Sequence, residues 1–251
     1  MLKVSGLSKY FGGVAAIDNL DLEVEKGDIR GIIGPNGAGK TTLFNVVCGV
    51  YRPSQGNVFL HGEPISKLSS SEVARRGLVR TFQRNAVFHD FTVLDNVIVG
   101  RHLRAKRSLL GEIFNPRAGA REDRQCALEI LEWVGLSAQQ DELAANLAHG
   151  FQRVLGVAVA LATEPEILML DEPVAGMNDT ETANMCEVIG NIHAHGVTIL
   201  LVEHDMKTVA GLCRNITVLD FGKKIAEGAP QEVLNNHAVI EAYLGTEDIV
   251  A

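Results

Sequence analysis

The stretch from Ile29 to Thr42, IRGIIGPNGAGKTT, decides the fold. Its first five residues form a short apolar run of strand character, and its end opens a helical pattern that continues as LFNVVCGV to Val50. Between strand and helix stands Gly34-Pro35-Asn36-Gly37-Ala38-Gly39-Lys40-Thr41, the full G-x-x-x-x-G-K-[ST] spacing of a phosphate-binding loop. A polyphosphate needs many donors at close range. Gly37 and Gly39 let backbone N–H groups approach, and the N-terminus of the following helix adds partial positive charge. Lys40 supplies a point charge for the β- and γ-phosphates, and the Thr41 hydroxyl a ligand for Mg²⁺.

Further along, ILML at Ile167 to Leu170 reads as a buried strand of a parallel sheet. It ends in Asp171 and Glu172, two carboxylates at the strand's C-terminal end, where α/β sheets place ligands. Asp171 is suited to hold Mg²⁺ through water and Glu172 to act as general base on an attacking water. A base beside a metal site makes water the acceptor, so hydrolysis is the expected reaction. No NKxD guanine-reading sequence is present. A third apolar run, VTILLV at Val197 to Val202, ends in Glu203, His204 and Asp205. His204 leaves the same sheet edge as Glu172 and is placed to donate to a γ-phosphate. Gln83 follows LVRTF, where an amide can touch Mg²⁺ or the attacking water.

Around these motifs the chain is an ordinary folded protein of 251 residues, 46% hydrophobic and 22% charged, long enough for one large core and a small appended subdomain. The opening, Leu2 to Val24, reads as antiparallel hairpins ahead of the first strand–loop–helix unit, and Val58 to His61 as a strand turning at Gly62 to Pro64. Thr92 is placed to cap a helix reading VLDNVIVG. Arg121 to Val134 puts Leu128, Leu131 and Val134 near one helical face. From about Arg84 to His149 the pattern is that of a helical insert. The richest apolar stretch, VLGVAVALA at Val154 to Ala162, is about half the roughly 18 residues needed to cross a bilayer. The start, MLKVSGLSKY, lacks a signal peptide's apolar region, and the four cysteines show no paired spacing, so a reducing cytoplasm is expected. A net charge of −8 argues against a nucleic-acid partner, although Arg75 to Arg107 is locally basic.

These spacings, with LAHGFQ at Leu147 to Gln152, resemble the ATP-binding cassette (ABC) family over nearly the whole chain. The resemblance implies an α/β P-loop NTPase with an antiparallel β subdomain and a helical insert. It divides one cassette domain, 1–251, into a nucleotide-binding core of 1–83 and 151–251 and a helical signature subdomain of 84–150. It implies ATP and Mg²⁺ as cofactors. Nucleotide contacts are then expected from Phe11, Gly34, Asn36, Gly37, Ala38, Gly39, Lys40, Thr41 and Thr42. The signature residues Leu147, Ala148, Gly150 and Gln152 are expected to serve a second cassette's nucleotide. Mg²⁺ falls to Thr41, Gln83 and Asp171, and chemistry to Glu172, His204 and Gln83. Phe11 stands where the family stacks an aromatic ring on adenine, and in a β-rich segment it reads equally as core. Ala148 replaces the serine of the common LSGGQ form, Asn178 the D-loop aspartate, and Val159 an arginine of the signature helix. VRTFQ, ILMLDEP with AGMN, VEHDM, NNHAVIEAYLG and the segment from Gly100 to Arg121 resemble the ATPases of branched-chain amino acid importers. That implies a second ATPase chain, membrane permease subunits, a solute-binding protein acting indirectly, and a place on the cytoplasmic face of the membrane. Arg101, Arg104, Lys106 and Arg107 read either as contacts to lipid headgroups or permease, or as a solvated face. The ATPase of a related importer for urea, amides or aromatic acids, a soluble, non-transport cassette ATPase and a catalytically silent nucleotide-binding subunit are the rival readings.

Overall fold

The computed structural model describes residues 1–81, 87–102 and 116–244, and the expectations for Gln83, Arg84, Arg104, Lys106 and Arg107 fall outside them. Strands β1 (Leu2–Phe11) and β2 (Val14–Val24) pair as an antiparallel hairpin. β1 pairs on its other edge with β4 (Gln55–Leu60), and β5 (Glu63–Pro64) completes a sheet in the order β2-β1-β4-β5. Along β2, Leu20, Leu22 and Val24 are buried while Asp21 and Glu23 are exposed, the period of two that lays one face on a core.

The second sheet contains β3 (Ile29–Ile33), β6 (Leu78–Arg80), β7 (Ile167–Asp171), β8 (Thr198–Val202), β9 (Asn215–Asp220) and β10 (Lys223–Gly228), in the order β10-β9-β3-β8-β7-β6. Its neighbours run parallel except at the β10 edge. Every residue of β3, β7 and β8 is buried, because alternate residues serve two different cores. Ile32, Met169 and Leu200 pack with the antiparallel sheet and with Leu43 and Phe44 of helix α1 (Lys40–Val47). Leu168, Leu170, Ile199 and Leu201 pack with the helices on the opposite face. The β9–β10 hairpin was not among the sequence expectations.

Beyond α1 and the short α2 (Ser70–Arg75), the helices α3 (Val93–His102), α4 (Pro116–Trp133) and α5 (His149–Leu161) fill the chain between β6 and β7, where the described residues form no strand. Thr92 caps α3 as expected: its hydroxyl oxygen accepts from the Asp95 N–H at 3.0 Å. Leu131 and Val134 are buried and Leu128 packs on the same core. α3 and α5 approach closely at Gly100, where a Cβ would stand 2.6 Å from the Val159 carbonyl oxygen. After β7 come α6 (Asp179–Ala194), α7 (Met206–Leu212), α8 (Pro230–Leu234) and α9 (His237–Leu244). No helix among the described residues is long and apolar enough to cross a membrane.

Candidate functional site

The loop between β3 and α1 is built by its glycines and clamped from outside. Gly37 has φ of 82° and Gly39 of 102°, values in the left-handed region. They differ in surroundings. A Cβ on Gly37 meets nothing within 4 Å, whereas one on Gly39 would penetrate the Ala16 carbonyl oxygen of β2. Gly37→Ala is therefore expected to cost about 1–2 kcal/mol of backbone strain. Gly39→Ala is expected to cost distinctly more in urea unfolding, and equal costs would contradict the close approach. The turn between β9 and β10 closes the other side: Gly222 N–H donates to the Ala38 carbonyl at 3.0 Å, and Asp18 N–H to the Gly222 carbonyl at 2.9 Å.

Lys40 opens α1 and is buried within the loop, its ammonium donating to the carbonyls of Gly34 at 2.6 Å and Pro35 at 2.9 Å. Burial holds its pKa below the usual lysine value, against the upward pull of the Glu172 and Asp171 carboxylates. Ala38 is buried, Thr42 is half-buried, and Asn36, Gly37 and Thr41 are exposed at the loop's open side.

The carboxylates arrive from β7. Asp171 pairs in register with Val202 of β8, and the Glu172 N–H donates to the Val202 carbonyl at 2.9 Å, so Glu172 leaves the sheet beside Glu203 and His204. Glu172 adopts φ of 49°, uncommon for a residue with a side chain and typical of strained positions at functional sites. Its carbonyl accepts from Arg153 Nη1 of α5 at 3.0 Å. The Asp171 side chain is fully buried. Its Oδ2 accepts from Arg80, whose other Nη donates to Asn45 Oδ1 of α1 at 2.6 Å, while Oδ1 has no hydrogen-bond partner. A bare, buried carboxylate oxygen beside a phosphate loop fits a hard cation with oxygen ligands.

His204 is largely exposed, with Nδ1 3.8 Å from Glu203 Oε2. Glu203 is fully buried, and burial raises its pKa against the lowering effect of the backbone N–H groups it accepts. Arg80, Arg153 and Glu203 were not singled out by sequence. Charged residues at strand ends and on helices look like surface residues until their partners are known.

Leu147 is buried at the entrance to α5, and Ala148 occupies its N-cap without a side-chain hydrogen bond. The helix begins at His149. The Gln152 N–H already bonds the Ala148 carbonyl at 3.0 Å, and no capping side chain marks the boundary. Gln152 turns its amide back onto the carbonyls of Leu147 at 3.1 Å and Ala144 at 3.3 Å, bracing the preceding turn. Gly150 is buried against Glu181 of α6. Asn178 is the N-cap of α6. Its Oδ1 accepts from the Glu181 N–H at 3.0 Å, and Glu181 returns the bond to the Asn178 N–H. Asn178→Ala should lower stability by about 1 kcal/mol in denaturant unfolding and Asn178→Asp by much less. An alanine variant as stable as the parent would remove the cap from this account.

Phe11 is 45% exposed, which excludes the core reading. Its ring meets Tyr51 edge-on at 5.4 Å, with the Lys9 ammonium 5.0 Å above it, forming an aromatic platform at the end of β1. Arg101 pairs with Asp123 and Glu164 and is not a free surface charge. Between β6, α3 and α5 lies a groove of about 970 Å³, lined among others by Val79, Arg80, Phe88, Val157 and Val159.

A family model described as ABC transporter matches residues 17–175, and one described as branched-chain amino acid ATP-binding cassette transporter matches residues 223–249. The chain is 43% identical over 249 residues, 98% of each protein, to the high-affinity branched-chain amino acid transport ATP-binding protein LivG of Salmonella typhimurium. It is 41% identical, with the same coverage, to the corresponding protein BraF of Pseudomonas aeruginosa. Among solved structures it superposes on the ADP conformation of MJ1267, an ATP-binding cassette of an ABC transporter, with a TM-score of 0.86, 32% identity and 98% of both chains covered. By this fold, this site and these relatives, the chain belongs to the ABC transporter family of ATP-binding cassettes.

Proposed function

We propose that this chain is the ATP-hydrolysing subunit of an importer for branched-chain or similar hydrophobic amino acids. It works as a peripheral protein on the cytoplasmic face of the membrane, beside permease subunits that carry the solute. The observation that carries the reading is the convergence of a buried Lys40 in a phosphate loop with Asp171, Glu172 and His204 at one sheet edge. The near full-length likeness to LivG and BraF supports the transport role. Lys40 and the loop N–H groups hold the β- and γ-phosphates. Thr41 and Asp171 would hold Mg²⁺, which would supply neutralisation of the charge developing on the phosphates. Glu172 takes the proton of the attacking water, and His204 donates to the γ-phosphate. Phe11 offers its exposed face to the adenine ring. Gln83 belongs to the same proposed site.

The signature segment from Leu147 to Gln152 serves a partner cassette, identical or related, because one chain carries one phosphate loop and one signature. Ala148 brings no hydroxyl, leaving the backbone N–H groups at the start of α5 as donors. The helical unit, 84–150 in our division of the chain, and the adjoining groove receive a short helix of the permease. The largely apolar lining supports that docking, and Val159 in place of an arginine adds to it. The test is co-expression with candidate permease subunits, then ATP-driven uptake of labelled leucine into proteoliposomes. Uptake that requires this chain supports the reading. An ATPase that neither associates with permeases nor drives uptake favours the soluble non-transport alternative.

A further inference from the structure

Glu203 has no part in the chemistry above, yet it is a fully buried carboxylate standing between two catalytic turns. Its Oε1 accepts from the Val174 N–H at 3.0 Å, two residues beyond Glu172, and its Oε2 from the N–H of His204 at 3.1 Å. Pro173, between Glu172 and Val174, has no N–H, so the Val174 amide is the first donor after Glu172 that can tie this turn to a neighbour. Glu172 is already fixed through its own N–H to Val202 and through its carbonyl to Arg153. What remains is the position of the turn that follows it relative to the turn carrying His204. Glu203 supplies that link with one rigid group, a carboxylate accepting from both sides.

We propose that Glu203 is a positioning residue for hydrolysis, a clasp whose two oxygens fix the Glu172–Val174 turn and His204 in one geometry. The proposal rests on the reading of this site as an ATPase. A neutral alternative is a carboxylate buried only to fill space and satisfy amides. That would affect stability but not the relation between two catalytic groups. The clasp is needed only while both groups contribute, so its loss should be felt through them.

Glu203→Gln keeps the size of the side chain but places an NH₂ against one of the two N–H groups, and Glu203→Ala removes the clasp. For the purified full chain under conditions of active turnover, kcat is expected to fall about 10–100-fold, the scale of a 1 Å misplacement at reacting groups. ATP half-saturation, and binding of a fluorescent nucleotide in EDTA, should stay within about three-fold, since neither partner of Glu203 is in the phosphate loop. In a His204→Ala background the same substitutions should cost less than about three-fold, because coupled residues do not multiply their losses. Amide exchange at Val174 and His204, read by NMR without nucleotide, should accelerate at least ten-fold in Glu203→Gln. Unchanged kcat alongside a lowered Tm, parallel loss of kcat and nucleotide binding, fully multiplicative losses with His204→Ala, or unchanged exchange at both amides would each overturn the clasp. A parent chain that binds no nucleotide would overturn the ATPase reading instead, and the exchange measurement would still judge the clasp.

Discussion

Glu172→Gln is expected to cut ATP turnover about 10²–10⁴-fold, the usual contribution of a positioned general base, or about 3–5 kcal/mol of barrier. Glutamine fills the same space and can still accept a hydrogen bond, but it cannot take the proton of water. Nucleotide affinity should change little. In the proposed site the phosphates fall to Lys40 and the loop, and the backbone of Glu172 remains tied to Val202 and Arg153 whichever side chain it carries. The check is steady-state phosphate release beside equilibrium binding of a fluorescent nucleotide. A variant that turns over at the parent rate would remove Glu172 from its role. One that loses binding and turnover together would show that the residue serves the loop's structure. Loss of the Lys40 ammonium should give that second pattern, because in the proposed site its charge meets the phosphates before any bond breaks.

The second large effect is expected in stability. Arg80→Ala should destabilise the fold by about 3–5 kcal/mol, the range seen when one partner of a buried ion pair is removed. The Asp171 side chain is fully buried, Oδ1 has no partner, and Oδ2 depends on Arg80. Truncating Arg80 strands a carboxylate in the interior. It also frees Asn45 and uncovers the Phe44 ring, over which the guanidinium lies at 5.7 Å. Arg80→Lys keeps the charge but cannot bridge Asp171 and Asn45 with a planar fork, so an intermediate loss is expected. Urea unfolding of the three proteins measures this. Asp171→Asn in the Arg80→Ala background should recover part of the loss by removing the stranded charge. A loss below about 1 kcal/mol for Arg80→Ala would mean that water reaches Asp171 and the pair is not buried in solution.

What could be read from sequence was what is encoded locally. The phosphate loop is a contiguous spacing, and β7 and β8 are short runs in which every residue is buried, so each announces itself without knowledge of its neighbours. The β9–β10 hairpin is different. β10 is an edge strand of sequence KKIAEG with no buried residue, and pairing alone makes it a strand. The start of α5 carries no local sign for a similar reason, since Ala148 offers no capping side chain. Phe11 could be read two ways because exposure of a strand residue depends on which face the rest of the fold covers. The roles of Arg80 and Glu203 were invisible because their meaning lies in contacts made across 91 and 29 residues of chain. The boundary at Asn178 carried a local sign, N-x-x-E, that marks a helix start whatever the residue does for a partner.

The clamp on the loop has a thermodynamic consequence. Held by β2 on one side and by the Gly222 turn on the other, the ring of backbone donors is fixed before any anion arrives. Little chain entropy remains to be lost on association, so more of the attraction between amides and phosphate is retained as affinity. Gripping strength thus depends on a hairpin more than 180 residues downstream in the chain, whose loosening would weaken capture without touching a single phosphate contact.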